Sequence, residues 1–87
     1  MIMKKTDELL LVFGENLKNF RKERNISQEE FAFRAELDRT YISGLECGKR
    51  NPTLKILVKL AHALNMKPSD LLINLHSVAR NLYGKNN

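Results

Sequence analysis

Ser27–Pro52, SQEEFAFRAELDRTYISGLECGKRNP, reads as two short helices with a tight joint between them. Ser27 is an N-cap residue and Glu30 stands three positions on, the capping-box spacing, so one helix starts there. Asp38 is a second N-cap candidate, because its carboxylate can accept from the free N–H groups of a helix opening at Arg39. Gly48 supplies a stop and Pro52 opposes continuation. Ala35, Glu36 and Leu37 are left as the joint, the length of a helix-turn-helix connection.

At about 100° per residue, Ile42 and Leu45 fall on one side of the second helix. Thr40, Ser43, Gly44 and Cys47 fall on the other, with Arg39 at its edge. A solvated face usually carries long Glu and Lys side chains, and this one does not. Short hydrogen-bonding groups beside an Arg suit close approach to base edges in a major groove.

Ser27-Gln28, Phe31-Ala32, Leu37-Asp38, Ile42-Ser43, Leu45-Glu46 and Gly48-Lys49-Arg50-Asn51-Pro52 resemble the Cro/C1-type helix-turn-helix DNA-binding domains. The resemblance runs from about Phe13 to Leu72. Within that family, Leu37-Asp38-Arg39-Thr40-Tyr41-Ile42-Ser43 is similar to the controller proteins of restriction–modification systems. It implies an all-α, five-helix lambda-repressor-like domain, a homodimer on a near-palindromic operator and autoregulation. RNA polymerase is a candidate protein partner of such a regulator.

The resemblance also assigns residues. Arg21 and Glu46 stand where the family has a structural ion pair, and Gln28 where it has a clamp on the DNA backbone. Arg39, Thr40, Ser43 and Gly44 are the expected base contacts; Ser27, Gln28, Tyr41, Lys49, Arg50 and Asn51 are the expected backbone contacts. Glu36 departs from the pattern, which often has Gly in the joint; a Glu there costs about 1 kcal/mol or forces another turn. Gly44 leaves only backbone to approach a base, which shifts weight towards DNA shape. Lys67 stands where the family commonly has a Ser cap.

The rest of the chain fits one domain. With 87 residues and a net charge of +5, it has room for a single modest core and leans towards an anionic partner. The apolar fraction of 43% argues against disorder. A first helix is predicted from about Asp7 to about Arg24, burying Leu10, Phe13, Leu17 and Phe20; residues 1–5 before it carry no motif. Lys18 and Lys22 read as solvated charges at its negative pole. Phe31, Ala32 and Ala35 are the core face of the Ser27 helix, and Phe33 falls off it. Thr53 is the N-cap of a later helix with Leu54, Leu57, Leu60, Ala61 and Leu64 as its core stripe and Asn65 at its end. A last family helix opens near Pro68.

Beyond Leu72 the apolar spacing continues: Leu71, Leu75, Val78 and Leu82 recur at steps of 4, 3 and 4. This predicts a helical extension over residues 73–83 and, with Leu72 and Ile73, a dimer interface. The alternative is that Leu75 and Val78 fold back onto their own core. Gly84-Lys85-Asn86-Asn87 reads as a disordered end.

Other chemistry is not indicated. His62 and His76 sit on separate predicted helices with no ligand at metal spacing, so no metal or cofactor is expected. No Gly-rich phosphate loop or nucleophile elbow is present, which makes an enzyme the weakest rival. The single cysteine, Cys47, allows no internal disulfide; it reads as a small residue near the groove, because thiols are activated at helix N-termini and this one is at a C-terminal end. The apolar run Leu9–Phe13 follows Asp7 and Glu8 and is too short for a signal peptide or a membrane span, which points to the cytoplasm. Within the regulator class, a phage-type repressor or antitoxin-like autoregulator is the runner-up. A helical protein-interaction module is the rival from another class, and it calls for an apolar outer face where Thr40, Ser43 and Gly44 stand.

Overall fold

Helices carry almost all of the regular structure in a computed structural model that describes residues 5–84. They are α1 (Lys5–Glu23), α2 (Gln28–Ala35), α3 (Arg39–Glu46), α4 (Leu54–Ala63), a 3-10 helix (Pro68–Leu72) and α5 (Leu75–Tyr83). Of the loose ends expected at residues 1–5 and 84–87, residues 1–4 and 85–87 lie outside the described residues, while Lys5 opens α1 and Gly84 caps α5. α1 starts at Lys5, earlier than expected, and ends at Glu23.

α1 packs across α3, the 3-10 helix and α5, while α2 packs on α3 and α4. Phe31, Leu17, Ile42, Leu45, Leu60, Leu64 and Leu71 are the large side chains fully enclosed by this arrangement. The stripe expected for α4 needs one correction. Leu54 is 76% exposed, because the first turn of α4 turns Ile56 and Leu57 to the core and leaves Leu54 outside it. Ala63 takes part in the core instead. Phe33 is 77% exposed, in line with its place off the core face.

Four helix ends share one device. Asn25, Glu36, Gly48 and Asn65 all have positive φ (57°, 58°, 76° and 57°). In each case the next residue's N–H reaches back five positions: Ile26 to Arg21, Leu37 to Ala32, Lys49 to Gly44 and Met66 to Ala61. This is the Schellman bond, and Ile26, Leu37 and Met66 pack against the core as its apolar follow-on. Glu36 therefore does not find another turn. It takes the left-handed conformation at a cost of about 1–2 kcal/mol, offset by the 2.9 Å bond from Leu37 to Ala32.

The starts of the helices differ more. Ser27 Oγ accepts from the Glu30 N–H at 3.0 Å, while the Glu30 carboxylate turns away to Arg34 at 2.9 Å, so only half of the capping box forms. Thr53 caps α4 through the Ile56 N–H at 3.2 Å. Asp38 corrects an expectation: its backbone is extended as an N-cap requires, but its carboxylate makes no cap hydrogen bond. The joint is accordingly Glu36–Asp38, one residue later than read, since Ala35 closes α2. At Lys67 the missing Ser is answered by Asp70, whose carboxylate accepts from the Lys67 N–H at 3.2 Å.

The C-terminal stripe is corrected most. It is not one helix: the 3-10 turn ends at Leu72 and Asn74 takes φ 70° before α5 begins. Asn16, buried on α1, donates from Nδ2 to the carbonyls of Leu71 (3.1 Å) and Ile73 (2.7 Å) and fixes that break. Leu71 is 0% exposed and Val78 is buried against α1, so both belong to the chain's own core rather than to an outward stripe. Leu75 packs against the core as well, and Leu82 is half-buried. Leu72 and Ile73 remain open, at 40% and 48% exposure.

Two contacts set how α1 lies on α3. Gly14 crosses so near that a Cβ would sit 2.3 Å from the Leu45 carbonyl oxygen. Seven residues on, Arg21 Nε donates to Glu46 Oε2 at 2.6 Å and Nη2 to Oε1 at 3.0 Å, a buried two-pronged pair. Arg21 Nη1 also donates to the Ile26 carbonyl at 2.9 Å.

Gly14→Ala will destabilise the fold by about 1–3 kcal/mol, because backbone rather than a flexible side chain must yield, and a lower urea midpoint will report it. Glu46→Ala leaves a buried guanidinium unpaired and will cost about 3–5 kcal/mol in the same assay. Replacing both partners by apolar residues of similar size, Arg21→Met with Glu46→Leu, will cost clearly less than the single change. Equal losses for the single and double variants would show that the unpaired charge is not what matters.

Candidate nucleic-acid interface

The outward side of α3 begins at Arg39 and Thr40, both exposed, and continues through Ser43 and Gly44, both half-buried. Ile42, Leu45 and Glu46 are buried on the opposite side. The expected division of this helix into packed and open sides is therefore present, and the open side is short, polar and flanked by cations. Cys47, at its end, is exposed.

Tyr41 lies between the two sides, and its ring packs against the core. The Arg50 guanidinium stands over that ring, 5.6 Å from its centroid. A Cβ on Gly44 would lie 3.0 Å from Arg50 Cγ and 3.4 Å from its Nε, so the side chain lies across the glycine. Arg50 thus folds over the α3 surface rather than standing off in the loop. The absence of a side chain at Gly44 is what admits it. Lys49 and Asn51 are exposed on the same loop.

Gln28 opens α2 and is half-buried. Its Nε2 donates to Glu46 Oε1 at 3.0 Å, and its Oε1 accepts from Arg39 Nη1 at 3.3 Å. Arg21, Glu46, Gln28 and Arg39 form one hydrogen-bonded row from the buried face of α3 to its exposed edge. Ser27, beside it, has its oxygen engaged in capping α2.

Three contributors were not singled out in the sequence. Asn16 falls on the α1 stripe three residues after Phe13, and a polar residue on a buried stripe is the signal that was there to read. Gly14 gives a similar signal, a helix-interior glycine beside Phe13. Arg24 closes the far end of α4 by donating to the Leu64 carbonyl at 2.8 Å, and nothing in its local sequence announces that partner.

Away from α3, an apolar groove of about 550 Å³ opens between the start of α1, the start of α4 and α5. Leu9, Leu54, Leu57, Leu72, Leu75 and Tyr83 line it. Among the described residues no group of three or more His, Cys, Asp or Glu could hold a metal ion, and no helix is long and apolar enough to cross a membrane.

Comparison with known proteins agrees with this geometry. Residues 17–71 match the helix-turn-helix family. Control protein C.BamHI of Bacillus amyloliquefaciens is 43% identical over 68 residues, covering 77% of this chain and 84% of that one. The crystal structure of the restriction-modification controller protein C.AhdI from Aeromonas hydrophila superposes with a TM-score of 0.71 at 44% identity, over 71% of this chain and 94% of that one. The controller protein C.Esp1396I, solved as a tetramer in complex with its natural 35 base-pair operator, gives 0.70 at 34% identity, over 80% and 92%. With its α2–α3 unit, the polar outer face of α3 and these relatives, the chain belongs to the helix-turn-helix family of DNA-binding transcriptional regulators, alongside the restriction–modification control proteins.

Proposed function

We propose that this chain is a single-domain cytoplasmic regulator, without catalytic activity of its own, that binds a near-palindromic operator as a homodimer and controls a restriction–modification system, its own gene included. The observation that carries the reading is the outer face of α3: exposed Arg39 and Thr40 next to half-buried Ser43 and Gly44, with no large aliphatic group among them. α3 lies in the major groove. Arg39 donates to a guanine, Thr40 and Ser43 reach neighbouring base edges, and the Gly44 backbone allows close approach. Lys49, Asn51 and the free N–H groups at the start of α2, beside Ser27 and Gln28, hold phosphates. Arg50 and Tyr41 act together at the backbone, since the one lies over the other.

One reading helix meets too few base pairs for selection in a genome, so two copies occupy half-sites about one helical turn apart. The second copy covers the apolar groove. Leu54, Leu72 and Tyr83, all exposed, supply its rim and half-buried Leu57 and Leu75 its floor, while exposed Ile73, next to Leu72 in the chain, extends the interface beyond it.

Selection of bound sequences from random duplex DNA will define the operator. On that operator Arg39→Ala will cost about 1–3 kcal/mol and relax preference at one base pair. Lys49→Ala will weaken all sequences alike and lower the salt slope by roughly 1. A uniform loss for Arg39→Ala on specific and random DNA would refute its role as a reader. For assembly, Leu72→Glu with Ile73→Glu spares the core and will give a folded monomer by sedimentation, with much weaker binding to the full operator. An unchanged dimer mass would place the interface elsewhere.

A further inference from the structure

Asn16 is the polar exception on the buried stripe of α1: it follows Phe13 by three residues, precedes Leu17 and is 6% exposed. We infer that Asn16 is a positioning residue for operator recognition, fixing through the tail the separation of half-sites that the dimer accepts. The inference rests on the proposed dimer across the apolar groove. It goes beyond that reading by assigning the spacing preference to a buried side chain that meets no base.

A buried amide is costly unless its hydrogens find acceptors. Asn16 Nδ2 carries two, and gives one to the Leu71 carbonyl at 3.1 Å and one to the Ile73 carbonyl at 2.7 Å. With the amide reversed, its oxygen would face two carbonyl oxygens, so one orientation holds. The last carbonyls of a helix need partners from outside it, and here a side chain 55 residues away supplies the one for Leu71. Both bonds reach the segment where the 3-10 helix gives way to α5 through Asn74 at φ 70°. An apolar residue in place of Asn16 would pack against the tail at many settings, whereas two directed bonds select one.

What that segment carries makes its setting matter. Leu72 and Ile73, beside the two tethered carbonyls, are 40% and 48% exposed, and Leu75 follows on the floor of the groove. Leu9, Leu10 and Phe13 of α1 line the same groove. α1 is in turn tied to α3 through Arg21 and Glu46. The dimer surface and the reading helix are therefore referred to one frame, and Asn16 is the polar tie on the dimer side. A two-fold axis doubles any shift of that surface. One base pair of spacing is only about 3.4 Å of rise and roughly 35° of rotation, so a small looseness in the tail reaches the size of a base-pair step.

The test compares the selected operator with duplexes whose half-sites are one base pair closer or farther apart, and with a single half-site. Asn16→Leu keeps the volume and removes both hydrogen bonds. It is expected to lower the preference for the selected spacing by roughly 5-fold or more, with affinity for the single half-site unchanged. If it weakens all spacings equally, or the single half-site by the same factor, Asn16 only stabilises the fold and the inference is wrong. The exposed Cys47, at the end of α3, gives a second reading without DNA. A spin label there reports the distance between the two reading helices of the free dimer. That distance should be narrowly distributed in the wild type, and in Asn16→Leu it should broaden or move by about one base-pair rise. Should Asn16→Leu fail to fold, Asn16→Gln keeps the donor on an arm one carbon longer and is expected to move the same distance. An unchanged distribution in the folded variant would overturn the positioning role. A wild-type chain that sediments as a monomer and shows no coupling between labels would refute the dimer itself, and the two failures are told apart.

Discussion

Glu46 is the charge on which the arrangement of the reading helix depends. It ends α3, where a negative group opposes the helix dipole, and it is buried, where an unpaired carboxylate is costly. Both penalties are offset by Arg21, whose two prongs tie the end of α3 to α1, and by the Gln28 amide. A buried pair of this kind adds little net stability compared with apolar packing. What it adds is a fixed register between the two helices, since the prongs meet only when α1 and α3 are set at one distance and rotation.

That constraint matters because α3 has little support of its own. It has eight residues, a glycine in its interior and β-branched Thr40 and Ile42; Asp38 makes no side-chain cap bond, and the last turn has no basic residue. Isolated helices of this length are marginal even with good helix formers. α3 is helical because Ile42 and Leu45 are buried, because Gly14 lets α1 approach its backbone, and because Glu46 is held. The same poverty of large side chains that weakens the helix leaves its outer face low and polar enough to enter a groove.

How far the sequence disclosed this varied with the range of the interaction. Local signals were legible: the Ser27 and Thr53 caps, the stops at Gly48 and Asn65, and the inward stripe of α1 all depend on neighbours within a turn or two. The left-handed cap at Glu36 was legible only as a conflict, because Glu disfavours the conformation that the Leu37–Ala32 bond and the burial of Leu37 impose. The tail misled for a physical reason. Steps of 4, 3 and 4 from Leu71 to Leu82 imitate one α-helix, yet a 3-10 turn followed by a positive-φ Asn74 changes the rotation per residue between Leu71 and Leu75. The group that stabilises this break is Asn16, 55 residues away from Leu71, and no window on the tail contains it. On the reading face, the small polar residues could be placed from spacing, whereas the Arg50–Tyr41 stack and the Gln28 row could not, since each joins side chains from different elements.

Asn16 and Arg21 lie on the same helix, five residues apart, and they hold different elements of the molecule. One fixes the turn that presents Leu72 and Ile73; the other fixes the helix that presents Arg39 and Thr40. α1 is thus the common frame for a surface suited to a second copy and a surface suited to DNA. In a two-fold dimer the separation of the reading helices is set by the path from one surface to the other, and here that path runs through a single helix. A helix of nineteen residues transmits position better than the short α2 and α3 or the broken tail would. On the proposed dimer, half-site spacing would be a property of α1 and its two polar anchors, and base choice would belong to the short helix it carries.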